Sequence, residues 1–76
     1  MSENIPNYYI KEGVHCMDMI KAITTDKEGL EAFYLGNIVK YLWRYSEKGD
    51  IKGDLTKALD YTERLIEYVL TKEFSE

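Results

Sequence analysis

The residues between Asp54 and Thr71 repeat an apolar pattern every three or four positions, and this spacing constrains the fold more than any other feature. The repeat consists of Leu55, Ala58, Leu59, Thr62, Leu65, Ile66, Val69 and Leu70. Such spacing places side chains on one face of an α-helix. Strict alternation of apolar and polar residues, which is typical of a half-buried strand, extends nowhere for long. The sequence therefore predicts an all-α fold without a sheet.

Two more helices are predicted before this one. The first runs from Gly13 to about Thr24, where Val14, Met17, Ile20 or Lys21, and Ile23 approximate the same spacing. Ahead of it, the short aromatic run Asn7-Tyr8-Tyr9-Ile10 is predicted to be an extended segment laid across the helices.

The second predicted helix begins at a capping box and ends near Glu47, before Gly49. Thr25 and Glu28 have the S/T-x-x-E spacing with which two side chains satisfy free backbone N–H groups. Apolar residues occupy so much of its circumference that the helix is either central or shared with another subunit. Gly36 within it costs about 1 kcal/mol relative to alanine, so we expect a neighbouring backbone to approach closely there.

The third helix follows a turn at residues 48–53 and runs to about Thr71. Asp50 or Asp54 is predicted to cap its first turn. No repeat or linker divides the chain, so residues 1–76 form a single domain with a core at about 7–71. The prediction is a compact three-helix domain with a short extended N-terminal segment.

A domain of 76 residues is near the size at which one core is only marginally sufficient. Cys16 is the only cysteine, which excludes a disulfide within the chain. His15 and Cys16 are the only soft ligands and are sequence neighbours, so a four-ligand zinc site is not expected. Because a partner subunit is the remaining source of stability, we expect a homo-oligomer.

The net charge of −4 is distributed unevenly along the chain. Residues 1–37 and 58–76 each carry −3, whereas residues 38–57 carry +2. An acidic chain is a poor general binder of nucleic acid. No apolar run reaches the 18 residues of a membrane helix, and no signal segment is visible. With a free cysteine, these features indicate a cytosolic protein without membrane contact.

A basic stripe lies on the second predicted helix. Its members, Asn37, Lys40, Arg44 and Lys48, are three, four and four residues apart and share one helix face. Tyr41 and Tyr45 flank them. Lysine, arginine and an amide can bind phosphate, and an aromatic face can stack a base, so the stripe predicts a nucleotide site. The alternative interpretation is a solvated basic face beside tyrosines packed in the core.

Other signatures of catalysis are missing or weak. The sequence contains no G-x-x-x-x-G-K-[ST], G-x-G-x-x-G or H-E-x-x-H motif. Tyr61, Arg64 and Tyr68 form a smaller stripe on the third helix, for which packing at the edge of the core is the favoured interpretation.

Two segments carry a family resemblance. Leu35-Gly36-Asn37-Ile38-Val39-Lys40-Tyr41-Leu42-Trp43-Arg44, with Lys48, and then Asp54-Leu55-Thr56-Lys57-Ala58-Leu59-Asp60-Tyr61-Thr62-Glu63-Arg64-Leu65 resemble the SaV-like family of small tailed-phage proteins. The resemblance extends from about residue 7 to residue 68. Two positions depart from the family pattern, since Tyr8 stands where histidine is frequent and His15 where an acid is frequent.

The resemblance implies a phage origin, a compact helical domain and residence in the cytoplasm of the host cell. Some relatives are described as nucleotide kinases without a phosphate loop. The positions that match the family motif are Gly36, Asn37, Lys40, Tyr41, Arg44, Lys48, Asp54, Lys57, Tyr61 and Arg64. They include the basic stripe and so favour a nucleotide ligand, while the two departures argue against catalysis.

Two functions from different classes are therefore expected. In the first, the chain binds a phosphorylated nucleotide through Asn37, Lys40, Tyr41, Arg44, Lys48, Asp54, Lys57, Tyr61 and Arg64. Mg²⁺ would be needed only for phosphoryl transfer, with an acid such as Asp54 to hold it. In the second, the chain binds and modulates a host protein without catalysis, through its tyrosines and an apolar helix face.

Overall fold

The computed structural model describes residues 9–47 and 49–74. Two strands, β1 (Ile10–Lys11) and β2 (Val14–His15), precede three helices, α1 (Cys16–Thr24), α2 (Gly29–Arg44) and α3 (Ile51–Phe74). The prediction of a mostly helical domain with three helices is confirmed. Residues 7 and 8 of the predicted extended segment lie outside the described residues. Lys48 of the predicted basic stripe also lies outside them.

The two strands form a minimal antiparallel hairpin, so the prediction of no sheet was wrong. Ile10 pairs with His15 and Lys11 with Val14. Glu12 and Gly13 connect them with φ angles of 54° and 79°. Two consecutive residues at positive φ are characteristic of a type I′ turn, which matches the twist of the strands it joins. The hairpin also occupies Gly13 to His15, so α1 begins at Cys16 instead of Gly13.

The predicted capping box at Thr25 and Glu28 is not formed. The Thr25 hydroxyl donates to the Lys21 carbonyl at 2.7 Å, one turn back in the preceding helix. Glu28 is the N-cap residue of α2, and its side chain makes no capping hydrogen bond. The threonine thus closes the end of α1, and α2 begins three residues later than a capping box would require.

Asp50 is the residue that caps α3. Its carboxylate accepts a hydrogen bond from the Gly53 N–H at 3.1 Å, and its carbonyl accepts from the Asp54 N–H at 2.9 Å. Of the two predicted caps, Asp50 is therefore correct, and Asp54 lies inside the first turn. The helix extends to Phe74, slightly beyond the predicted end at Thr71.

The central helix α2 packs against α1 on one side and against α3 on another. Gly36 lies on the α1 side, where an added Cβ would stand 3.4 Å from Cγ2 of Ile20. The close neighbour at Gly36 is therefore a side chain of α1. The prediction that a neighbouring backbone approaches Gly36 was wrong.

Aromatic rings fill the contact between α2 and α3. Five of them form edge-to-face, tilted or stacked pairs, with centroids 5.9 to 6.3 Å apart. The rings belong to Phe33, Tyr34, Tyr41, Tyr61 and Tyr68. Ala58 of α3 has a small side chain and is buried. Within the described part of the chain, no large side chain is fully buried, so the domain interior is thin.

None of the described helices is both long enough and apolar enough to cross a bilayer.

Candidate functional site

Tyr41 lies at the centre of the predicted site. It occupies the last turn of α2, three residues before the helix end at Arg44, and its ring stacks on that of Tyr61 from α3 at 6.1 Å and an interplanar angle of 12°. The two helices are held together at this level by the stack. Tyr41 is therefore part of the packing between helices as well as a neighbour of the basic stripe.

Three cations surround the Tyr41 ring. Lys40 Nζ lies 5.3 Å from the ring centroid, Arg44 Cζ 4.9 Å and Lys57 Nζ 5.6 Å. Each distance is within the range of a cation–π interaction. Lys57 comes from α3, so the stripe predicted on one helix is a cluster built by two helices.

The guanidinium of Arg44 is held by hydrogen bonds within the domain. Its guanidinium donates to the Tyr9 hydroxyl at 2.9 Å and to Asp54 Oδ1 at 3.3 Å. The side chains of Arg44 and Asp54 are only 13% and 4% exposed. Burial by itself would lower the pKa of the guanidinium, but its bonds to Tyr9 and Asp54 outweigh burial and raise the pKa. Arg44 therefore already has its anionic partner.

Tyr9 was not predicted as a member of this cluster. It is separated from Arg44 by 35 positions in sequence, and only the hairpin of β1 and β2 brings the N-terminal segment back to α2. No local pattern in the sequence indicates such a contact.

Lys40 and Lys57 differ from Arg44 in having no acidic partner among the described residues. Neither forms an ion pair with any residue that the structure describes. Lys40 also acts on the buried Cys16 thiol, whose pKa is raised by burial and lowered to a smaller extent by the Lys40 charge. Two lysines without an acidic partner among the described residues, 5.3 and 5.6 Å from the centroid of one ring, are the part of the cluster that can hold an anion.

The remaining predicted residues lie apart from the two lysines or have local partners. Asn37 donates through Nδ2 to the Phe33 carbonyl at 2.9 Å, within its own helix. Arg64 donates to Asp60 at 3.1 Å on the exposed side of α3. Lys48 lies outside the described residues. The structure thus brings together Lys40, Tyr41, Arg44, Asp54, Lys57 and Tyr61.

Arg64 also borders a shallow depression beside the aromatic contact of α2 and α3. The depression has a volume of about 300 Å³, and its walls are formed by Tyr34, Arg64, Glu67, Tyr68 and Thr71. Because Arg64 is bonded to Asp60 and Glu67 adds negative charge, this depression is a poorer site for an anion than the lysine cluster.

The described residues contain no group of three histidine, cysteine, aspartate or glutamate side chains arranged to hold a metal ion. Asp54, the acid expected to hold Mg²⁺, is buried against Arg44. A metal at Asp54 would have to displace the guanidinium, so the carboxylate does not fit that role.

The comparisons with known proteins place the chain in a family. No curated protein and no solved structure matches it. The model of a family described as proteins of unknown function, DUF3310, matches residues 4–63. This range contains the hairpin, α1, α2 and the first half of α3, including all six residues that the structure brings together around Tyr41. The chain therefore belongs to the DUF3310 family.

Proposed function

We propose that the chain binds a phosphorylated small molecule of the nucleotide class at Lys40 and Lys57, beside the Tyr41–Tyr61 stack. The observation that carries the proposal is the approach of both lysines to one ring without an acidic partner among the described residues. Phosphate oxygens supply the missing negative charge, and two ammonium groups on different helices can hold one phosphate chain between them.

Arg44 has an indirect part in this proposal. Asp54 and Tyr9 hold its guanidinium, and that guanidinium in turn lies 4.9 Å from the Tyr41 ring. It fixes the ring and with it the wall of the site. Arg44 is therefore a positioning residue, and the two lysines are the phosphate ligands.

The phosphate is expected to contribute more to affinity than the base. Tyr41 already stacks on Tyr61, so one face of the ring that could receive a base is occupied. A base can therefore stack on only one face of the Tyr41 ring, which limits what stacking contributes. We therefore expect nucleoside triphosphates to bind more tightly than monophosphates, and unphosphorylated nucleosides to bind least.

Catalysis is not part of the proposal, because Asp54 is engaged by Arg44 and the cluster holds no accessible carboxylate for Mg²⁺ or for a general base. Binding without turnover fits a protein that sequesters a nucleotide. The SaV-like resemblance supports a phage protein acting in the host cytoplasm, related to nucleotide kinases in fold but not in reaction.

Thermal unfolding at low ionic strength tests this function. A panel of nucleosides, nucleoside mono-, di- and triphosphates and inorganic triphosphate is added to the purified chain. A ligand at 100 times its dissociation constant stabilises by about 2.7 kcal/mol. In a domain of this size that corresponds to a rise of roughly 10 °C or more in Tm.

Two double variants decide where the ligand binds. Lys40→Ala with Lys57→Ala should abolish the shift, whereas Lys21→Ala with Lys52→Ala removes the same charge elsewhere and should preserve it. An equal loss in both pairs would mean that only net charge matters, and no shift with any phosphorylated ligand would end the proposal.

A second candidate function, modulation of a host protein, is supported by a separate observation. Met17, Phe33 and Leu42 are large apolar side chains that are 49% to 62% exposed. Exposed apolar side chains are typical of protein interfaces. Trp43 is only partly exposed, and its indole N–H is buried without an acceptor among the described residues. If no nucleotide shifts Tm, binding of a host protein that survives the double lysine substitution would favour this candidate.

A further inference from the structure

The outer side of α3 carries an apolar stripe that none of the described helices covers. The contact of α3 with the rest of the chain is chiefly with α2, through the face that contains Asp54, Ala58 and Tyr61. About a quarter turn away, a second row of side chains is 38% to 58% exposed. The row consists of Ile51, Leu55, Leu59, Ile66 and Leu70.

Together with the half-buried Thr62 and Val69, three members of this stripe have the spacing of a coiled-coil seam. Leu55, Leu59, Thr62, Ile66 and Val69 follow one another at intervals of four, three, four and three residues. Heptad spacing of this kind lets one helix pack along another. Thr62 is compatible with the seam because its hydroxyl donates to the Ala58 carbonyl at 2.7 Å, which leaves its methyl group for packing.

The occupant of the seam is inferred from charge. In the N-terminal half of α3, Asp54 is neutralised by Arg44 and Lys57 faces Tyr41 of α2, which leaves the positive charge of Lys52 beside the stripe. In the following turns, Asp60 is paired with Arg64, which leaves the negative charges of Glu63 and Glu67. A helix that is positive in one half and negative in the other is complementary to a copy of itself in the opposite direction.

We propose that α3 pairs antiparallel with α3 of a second copy of this chain, about a two-fold axis between residues 60 and 61. In this register Leu55 packs against Ile66 of the second copy, and Leu59 against Thr62 of the second copy. Ile51 lies level with Leu70 of the second copy. The seam from residue 51 to residue 70 is about 28 Å long at 1.5 Å per residue.

The charged residues of α3 favour antiparallel over parallel packing. In a parallel pair each residue lies beside its own copy, which sets Lys52 against Lys52 and Glu63 against Glu63 of the second copy. Reversing one helix separates these like charges and opposes the two helix dipoles favourably. The pairing also gives a small domain without fully buried large side chains the additional apolar contact it needs.

Sedimentation equilibrium tests the association at several protein concentrations. The wild-type chain should have twice the mass of 8.9 kDa. Leu59→Lys with Ile66→Lys should weaken the association at least about 100-fold, as two charged side chains enter the seam. Thr71→Lys adds charge about 150° away on the same helix and should leave the dimer intact. Helical circular dichroism of each variant shows that the monomer fold is preserved.

Disulfide formation tests the direction of pairing. On a Cys16→Ala background, Leu55→Cys and Ile66→Cys are oxidised separately and as a mixture. Antiparallel pairing predicts a crosslink only in the mixture, whereas a parallel pair would crosslink each variant with itself. A wild-type chain that is monomeric at all concentrations, or a dimer that survives both lysine substitutions, would overturn the proposal.

Discussion

Arg44 and Asp54 form a nearly buried ion pair that joins the last turn of α2 to the first turn of α3. Nε of Arg44 lies 3.3 Å from Oδ2 of Asp54, although these two atoms do not meet the geometry of a hydrogen bond. The second contact, from the guanidinium to Oδ1, does meet it. The pair therefore sets the angle at which the two helices leave their connecting loop.

Removing the carboxylate of Asp54 should destabilise the domain strongly. In Asp54→Ala the guanidinium of Arg44 stays inside without its counter-charge, which costs about 3 kcal/mol or more. Asp60→Ala is the matched control, because it removes an acid from the same helix and leaves Arg64 in solvent. An exposed pair of that kind is worth about 0.5 kcal/mol. Urea unfolding measures both, and equal losses would contradict a structural role for the buried pair.

Two glycines of α2 should respond to alanine in opposite directions. At Gly36 a new Cβ would meet Ile20 at 3.4 Å, an ordinary contact, so Gly36→Ala should raise the free energy of unfolding by about 0.5 to 1 kcal/mol through helix propensity. Gly29 has a φ of +58°, which an alanine side chain disfavours. Gly29→Ala should therefore lower stability by about 1 kcal/mol. Thermal unfolding of the two variants checks the signs, and a loss of stability at Gly36 would show that the contact with Ile20 is too tight for a methyl group.

The N-cap of α3 depends on the carboxylate of Asp50. Asp50→Ala removes the acceptor of the Gly53 N–H and should cost about 1 kcal/mol. Asp50→Asn keeps an acceptor and should lower the free energy of unfolding by only about 0.3 kcal/mol. Because a Cβ at Gly53 would stand 2.2 Å from Oδ2 of Asp50, Gly53→Ala should displace the same cap. If Asp50→Ala and Asp50→Asn unfold at the same denaturant concentration, the capping bond contributes nothing.

The thiol of Cys16 should make stability depend on alkaline pH. Burial raises its pKa above the ordinary 9.0, and the nearby Lys40 charge lowers it by less. The folded chain thus holds this proton more tightly than the unfolded chain. Its contribution is complete below pH 9.0 and is lost as the pH rises through the folded pKa. Unfolding of wild type and Cys16→Ala at pH 7 to 11 measures the difference, and parallel curves would refute it.

The helices were predictable because their signals are local. The three-to-four spacing from Leu55 to Leu70 identifies α3, and Asp50 was one of two candidate caps. The capping box at Thr25 failed for a local reason too, since a threonine at the end of one helix can bond backwards to Lys21 as readily as forwards. The hairpin was missed because two-residue strands are too short for an alternating pattern.

The candidate site was predictable only in part. Helix spacing correctly placed Lys40, Tyr41 and Arg44 together on α2. It could not distinguish a free lysine from an arginine already bonded to Asp54, because that distinction depends on how α3 packs. The partnership of Arg44 with Tyr9 spans 35 positions and has no local signal.

The order of the helices also bears on the speed of folding. Most packing is between sequence neighbours, α1 with α2 and α2 with α3. A chain whose contacts are close in sequence closes only short loops before it gains favourable energy, and helical domains of this type fold in microseconds to milliseconds. The bond from Tyr9 to Arg44 is among the longest-range contacts, so docking of the hairpin is expected late, after the aromatic rings of α2 and α3 have met.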